Sequence, residues 1–244
     1  MKLHFSFIDY YILQMDYTIE FLSIEWIRNL VIIFFLASFF LFAGKFFNKN
    51  QNLIIAKSLS VFLLLITIFH ASYLLIYDIW DVKEHLPLHL CSINGVICCF
   101  ILFMPKNKSL FEFNFYTGII GGAVAILTPQ LNDYDGSFSQ YIVYYLSHGL
   151  IILIPLYLYY YLNFELRKLS WLRALVFLNI LTAIFIPLNS YLKSNYMYVN
   201  EPPKVSNPLI IGEWPIYLIN LEVIILLLFA VTYFIFTKIS IFRS

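Results

Sequence analysis

Seven stretches of the chain are nearly unbroken apolar runs: about 27–47, 54–79, 86–104, 113–131, 140–162, 171–190 and 215–237. A bilayer core takes about 20 apolar residues per helix. The pattern therefore predicts an all-α fold, a polytopic bundle of seven transmembrane helices filling residues 27–237. Residues 1–26, with HFSFIDYY and FLSIEW, are too interrupted by Asp and Glu to span, and read as an amphipathic interfacial segment. Residues 238–244 are a short tail. One connection is long, YLKSNYMYVNEPPKVSNPLIIGEW at 191–214. Pro202, Pro203 and Pro208 keep it from being a regular helix. It is either an ordered lid or a floppy loop. There is no soluble domain, low-complexity linker or internal repeat.

Composition narrows the class. Hydrophobic residues make up 61% and charged residues 12%, against roughly 25% charged in an ordinary soluble domain. A soluble globular protein is excluded. A net charge of +1 argues against a nucleic-acid partner. No basic stretch followed by a small-residue cleavage site marks a removable signal.

Charge also orients the bundle. One alternating set of loops and ends holds Lys45, Lys49, Lys57, Lys106, Lys108, Arg167, Lys168, Arg173, Lys238 and Arg243, with Glu112 and Glu165 as its only acids. The other set holds five Lys and Arg against eleven acids, among them Glu25, Asp81, Glu84, Asp135 and Glu201. The positive-inside rule puts the first set in the cytoplasm. The N-terminus is then outside, the C-terminus inside, and the chain is a multi-pass protein of the cell (plasma) membrane. The sets are called below the basic end and the acidic end.

Polar side chains inside spans are costly, and they mark function or interhelical hydrogen bonding. Several gather in the acidic-end halves of the runs. Cys91 lies roughly 8 Å into run three and His148 roughly 12 Å into run five, at about 1.5 Å per residue. His70, Thr128, Gln130, Asn189 and Asn220 sit at comparable levels in runs two, four, six and seven. The basic-end halves are nearly all Leu, Ile, Phe and Val, apart from residues such as Asn179. The convergence predicts a cavity opening at the acidic end.

Its chemistry centres on EHLPLHLCSINGVICC, residues 84–99. Pro87 suits the first turn of a helix, which puts Cys91 about one turn in, where the helix N-terminus favours a thiolate and apolar burial opposes it. The thiol needs a base, and His148 has the matching depth. Asn94, on the same helix face as Cys91, is a candidate donor to an oxyanion. His89 stands about 200° from Cys91 on a helix and reaches another wall or a lipid headgroup. His85 reads as solvated at the membrane surface. Its spacing to His89 suits a metal, yet no carboxylate or third ligand accompanies them, so no metal is expected. Cys98 and Cys99 read as packing residues, and Gly118, Gly121 and Gly122 as a close helix contact. Glu222, the one acid within a run, either pairs with a histidine, stays protonated or carries ions.

LPLHLCSI (86–93), GAVAILTP (122–129), YLSHG (145–149), NYMYVNEPP (195–203) and GEWPIY (212–217) together resemble the YwaF family of integral membrane proteins. That family is similar to a human multi-pass acyltransferase that loads acyl chains onto ether lysophospholipids. The tail departs from the family's Gly-Pro-Trp-Pro turn, with Glu213 at its second position. The resemblance implies a functional cysteine in the LHLC motif and a histidine two spans later, here Cys91 and His148. Two readings follow. One is a phospholipid acyltransferase, or a lipase if water enters, with Cys91 as nucleophile and His148 as base. Membrane lipids are then its substrates, and His89, Asn94, Thr128, Gln130, Asn189 and Asn220 hold them; no cofactor is required. The other is a non-enzymatic lipid- or solute-binding or transport protein. A retinal protein is disfavoured, because no lysine lies between 215 and 237.

Overall fold

The computed structural model describes residues 17–240 except 133, 204 and 206. Most of the expected interfacial segment (1–16) and the end of the tail (241–244) lie outside the described residues, as do Asp133 and Lys204 of the charge sets. The fold is all-helical. Helices occur where the seven apolar runs predict them: α1 Ile24–Ala43, α2 Lys49–Ile76, α3 Leu90–Phe100, α4 Lys108–Leu127, α5 Phe138–Tyr161, α6 Ser170–Leu192 and α7 Ile216–Ser240. Six of them are long and apolar enough to cross a membrane. The exception is α3, continued by one 3-10 turn to Phe103. At 1.5 Å per residue it covers about 20 Å of a core about 30 Å thick.

The shortfall arises at the N-terminal side of run three. Pro87 is not in the first turn. It lies in a turn before the helix, and His89 is the residue that precedes the first helical position, with φ −66° and ψ 147°. Other starts follow local chemistry. The side chains of Ser23, Asn48, Asn107 and Ser137 each accept from a backbone N–H in the first turn of their helix. At Asn48 a reciprocal bond from Gln51 completes a capping box.

The hub is α4, which packs against α3, α5 and α6 and touches α7. Residues 111–118, FEFNFYTG, are buried on every side, as a helix enclosed by others must be. Gly118 and Gly122 set its spacing to α5. A Cβ at Gly118 would sit 2.9 Å from the Ile151 carbonyl oxygen, and one at Gly122 would sit 3.0 Å from that of His148. Tyr17–Thr18 of the N-terminal segment form a two-residue strand, β1, antiparallel to β2, Gln130–Leu131. That pairing ties the approach to α1 to the acidic end of α4.

The basic end is less apolar than its sequence suggests. Glu112, 0% exposed, accepts from Arg167 at 2.7, 2.8 and 2.9 Å and from Arg173 at 3.1 Å twice. Tyr157 donates to Asn52 at 2.5 Å, Tyr116 and Ser170 hydroxyls lie 2.7 Å apart, and Ser60 donates to the Cys98 carbonyl at 2.9 Å. These groups satisfy one another, as polar groups in a membrane interior must. Both guanidiniums keep more than a third of their side chains exposed, 39% and 37%, so water screens them when the carboxylate charge is lost. Glu112→Gln is expected to lower unfolding stability by about 1–3 kcal/mol, the usual cost of weakening hydrogen bonds to charged groups. Thermal unfolding of the purified protein in detergent measures it.

Candidate functional site

A cavity of about 690 Å³ lies towards the acidic end and runs between α2, α3, α4, α5 and α7. Every histidine among the described residues, His70, His85, His89 and His148, lines it, together with Cys91. Its deeper wall is apolar, with Leu63, Ile66, Ile225 and Phe229.

Cys91 is the second residue of α3. The first i→i−4 bond of that helix runs from the Ile93 N–H to the His89 carbonyl at 2.9 Å. The amides of Leu90, Cys91 and Ser92 thus have no acceptor within the helix, and the thiol sits among them. Across from it lies α4, where a Cβ built on Gly121 would be 3.8 Å from Cys91 Sγ. The next residue, Gly122, faces the backbone of His148. One glycine step on α4 therefore separates the cysteine from the histidine.

His148 is fixed by its own helix. Its Nδ1 is 2.7 Å from the Tyr144 carbonyl oxygen, and the rings of Tyr144 and His148 are in contact, tilted by 44° with centroids 4.3 Å apart. A carbonyl only accepts, so the Nδ1 proton is held there and Nε2 of the neutral ring keeps its lone pair. Tyr144 is itself clamped, donating to the Ala125 carbonyl at 2.8 Å and accepting from the Gln130 N–H at 3.3 Å. No hydrogen bond joins Cys91 to His148 among the described residues.

His89 does not stand on a separate wall. The helical-wheel argument fails because His89 precedes the helix, and it lines the same cavity as Cys91. Its ring lies between Tyr196 and Tyr198, at 5.1 and 5.2 Å. Its Nδ1 accepts from the Met197 N–H at 3.4 Å, which leaves a proton on Nε2 of the neutral ring. The neutral rings of His89 and His148 thus offer opposite hydrogen-bonding characters.

The other predicted residues divide. Thr128 and Gln130 line the cavity. The Thr128 hydroxyl returns to the Val124 carbonyl, while Gln130 Oε1 accepts from the Val205 N–H at 2.8 Å. Asn94 does not line it. It is 0% exposed and turned into the α3–α4 contact, donating to the Leu90 carbonyl at 2.8 Å and accepting from Asn114 Nδ2 at 2.9 Å. Asn189 binds both backbone groups of Tyr196 at 2.9 Å, and Asn220 donates to the Ile211 carbonyl at 2.8 Å. Both organise the 193–215 connection instead of the cavity. These bonds hold the connection's described residues at Tyr196 and Ile211. Among the described residues Glu222 pairs with no histidine; Asn179 donates to it at 2.6 Å.

Two cavity residues escape a reading by residue type. His85 is half-buried and faces the cavity instead of bulk water, its Nδ1 accepting from the Asp81 N–H at 2.9 Å. Tyr144 was detectable as the i−4 neighbour of His148. Over the mouth, Tyr196 accepts from the Leu86 N–H at 3.0 Å and donates to the Val82 carbonyl at 2.5 Å. Burial raises its phenol above the ordinary value, which keeps it a donor. No group of three or more His, Cys, Asp or Glu among the described residues is arranged to hold a metal ion.

These features define a multi-pass helical membrane protein with a histidine-lined cavity beside a helix-terminal thiol. The chain belongs to the TMEM164 family, whose family model matches residues 20–233. This corrects the resemblance to the YwaF family, which rested on five short motifs, whereas the match runs through nearly the whole chain. Comparison with curated proteins and with solved structures finds no match.

The glycine step yields a differential test. A methyl group at 121 meets its nearest atoms at 3.8 Å, an ordinary contact, whereas one at 122 meets Ile152 Cγ1 at 2.7 Å. Gly121→Ala is expected to unfold at the wild-type temperature. Gly122→Ala is expected to lose about 1–3 kcal/mol, the usual cost of overpacking. Thermal unfolding of both variants in one detergent checks the contrast.

Proposed function

We propose that this protein is a membrane acyltransferase acting on glycerophospholipids, with Cys91 as nucleophile and His148 as base. The observation that carries the reading is that one cavity is lined both by a thiol at a helix N-terminus and by an imidazole whose Nδ1–H is tied to the Tyr144 carbonyl. That tie leaves His148 Nε2 as acceptor on the cavity that Cys91 also lines. In unliganded sites catalytic hydrogen bonds are commonly long and close with substrate bound.

In the first step Cys91 Sγ gives its proton to His148 Nε2 and attacks the ester carbonyl carbon of a donor lipid. The oxyanion meets the free amides at the start of α3 and the Nε2–H of His89. The C–O bond then breaks, the Nε2 proton passes to the departing lysolipid oxygen, and a thioester remains. In the second step an acceptor hydroxyl loses its proton to Nε2 and attacks the thioester. The Cys91 thiol is regenerated with that proton. Splitting the transfer this way predicts ping-pong kinetics. Water in place of the acceptor makes the same site a lipase.

Topology completes the proposal. In this reading α3 makes a seventh crossing, helped by the 77–89 segment that precedes it. The acidic end faces outward by the excess of Lys and Arg at the other end, and the protein resides in the plasma membrane.

The test is intact-mass spectrometry of protein purified from its own membranes, before and after neutral hydroxylamine. A hydroxylamine-labile fatty-acyl adduct on the wild type is expected. It should be absent from Cys91→Ala and reduced in His148→Ala. An adduct that persists in Cys91→Ala, or full acyl transfer by that variant, would overturn the mechanism. A lipid-binding protein without chemistry would tolerate both substitutions.

A further inference from the structure

The cavity differs between its end and its side. At the acidic end three segments cross over it and are bonded to one another. Besides the Val205–Gln130 and Tyr196 bonds, Tyr217 donates to the Tyr198 carbonyl at 2.6 Å and Asn132 to the Tyr198 hydroxyl at 3.4 Å. Met197 and Tyr198 hold this cap with φ of 59° and 53°, a conformation unfavourable for side-chain-bearing residues.

The side is open. Thr67 and Ala71 of α2 and Val96 of α3 line the cavity and are nevertheless exposed on the bundle's flank, Val96 at 42%. Leu221, Ile225 and Leu228 of α7 line the opposite edge. Helix α7 packs along α6 and touches α4, but it does not pack along α2 or α3. The rim formed by these six residues carries no charge. A gap at this level of a spanning bundle faces acyl chains, not water.

We propose that this gap is a lateral portal through which a lipid acyl chain slides from the bilayer to Cys91, while the cap carried by Tyr196, Tyr198 and Val205 stays shut towards water. The identity of the chain as a substrate rests on the acyl-transfer reading; the route itself does not. Val96 is the portal residue to change, because it lines the cavity while 42% exposed on the flank.

The experiment uses the full chain in phosphatidylcholine vesicles, with Cys98→Ser and Cys99→Ser leaving Cys91 as the single thiol. Two reagents are compared, a charged, water-soluble maleimide and an uncharged maleimide on a long alkyl chain. The alkyl reagent is expected to modify Cys91 at least about tenfold faster, since its chain concentrates in the bilayer. Adding Val96→Trp is expected to slow the alkyl reagent and leave the charged one unchanged. Equal rates with both reagents, indifference to Val96→Trp, or no modification by either would overturn the portal. If the labelling pattern holds but the hydroxylamine-labile adduct is missing, the route stands and the catalytic reading falls.

Discussion

The site depends on how closely α5 approaches α4. Gly118 and Gly122 let the carbonyls of Ile151 and His148 come to distances that a single methyl group would obstruct. In lipid there is little hydrophobic drive to hold helices together, so close van der Waals packing does much of that work. The same approach brings the histidine to one side of the glycine step while α3 brings the cysteine to the other. One approach thus sets both the packing and the placement of Cys91 and His148: a wider helix pair would move His148 away from the α3 side of α4.

Hydrogen-bond satisfaction separates the polar residues into two kinds. Asn94, Asn189, Asn52 and Glu112 are buried and bonded to other parts of the protein, and their role ends with holding helices or a loop in place. Two cavity histidines, His89 and His148, are each oriented by one ring nitrogen, His89 by the Met197 N–H and His148 by the Tyr144 carbonyl. A buried amide with all its partners inside the protein has no capacity left for substrate. An imidazole tied at one nitrogen is both oriented and available.

The apolar runs revealed the helices because length and hydropathy are summed over twenty residues and survive local error. The depth argument for Cys91 and His148 relied on the same averaging, and both residues do line one cavity. What the runs could not reveal was where a helix starts when no strong cap marks it. Pro87 pointed to an early start for α3, yet the chain turns first and the helix begins at Leu90. That three-residue shift moved His89 off the helical wheel and into the lining of the cavity that Cys91 also lines. The role of Asn94 was hidden for another reason: its partners Asn114 and Thr117 lie on a different helix, and no spacing within one helix announces a contact between two.

The Glu112 cluster has a bearing on how the chain is made. Its carboxylate sits on α4, and Arg167 and Arg173 follow 55 and 61 residues later. During synthesis α4 emerges with a charge that has no partner until α5 has passed and the next connection has been translated. Until then Glu112 stands in the second turn of α4, near Lys106 and Lys108 at the basic end. The contact between α4 and α6 therefore gains its ionic lock only after that connection has been made.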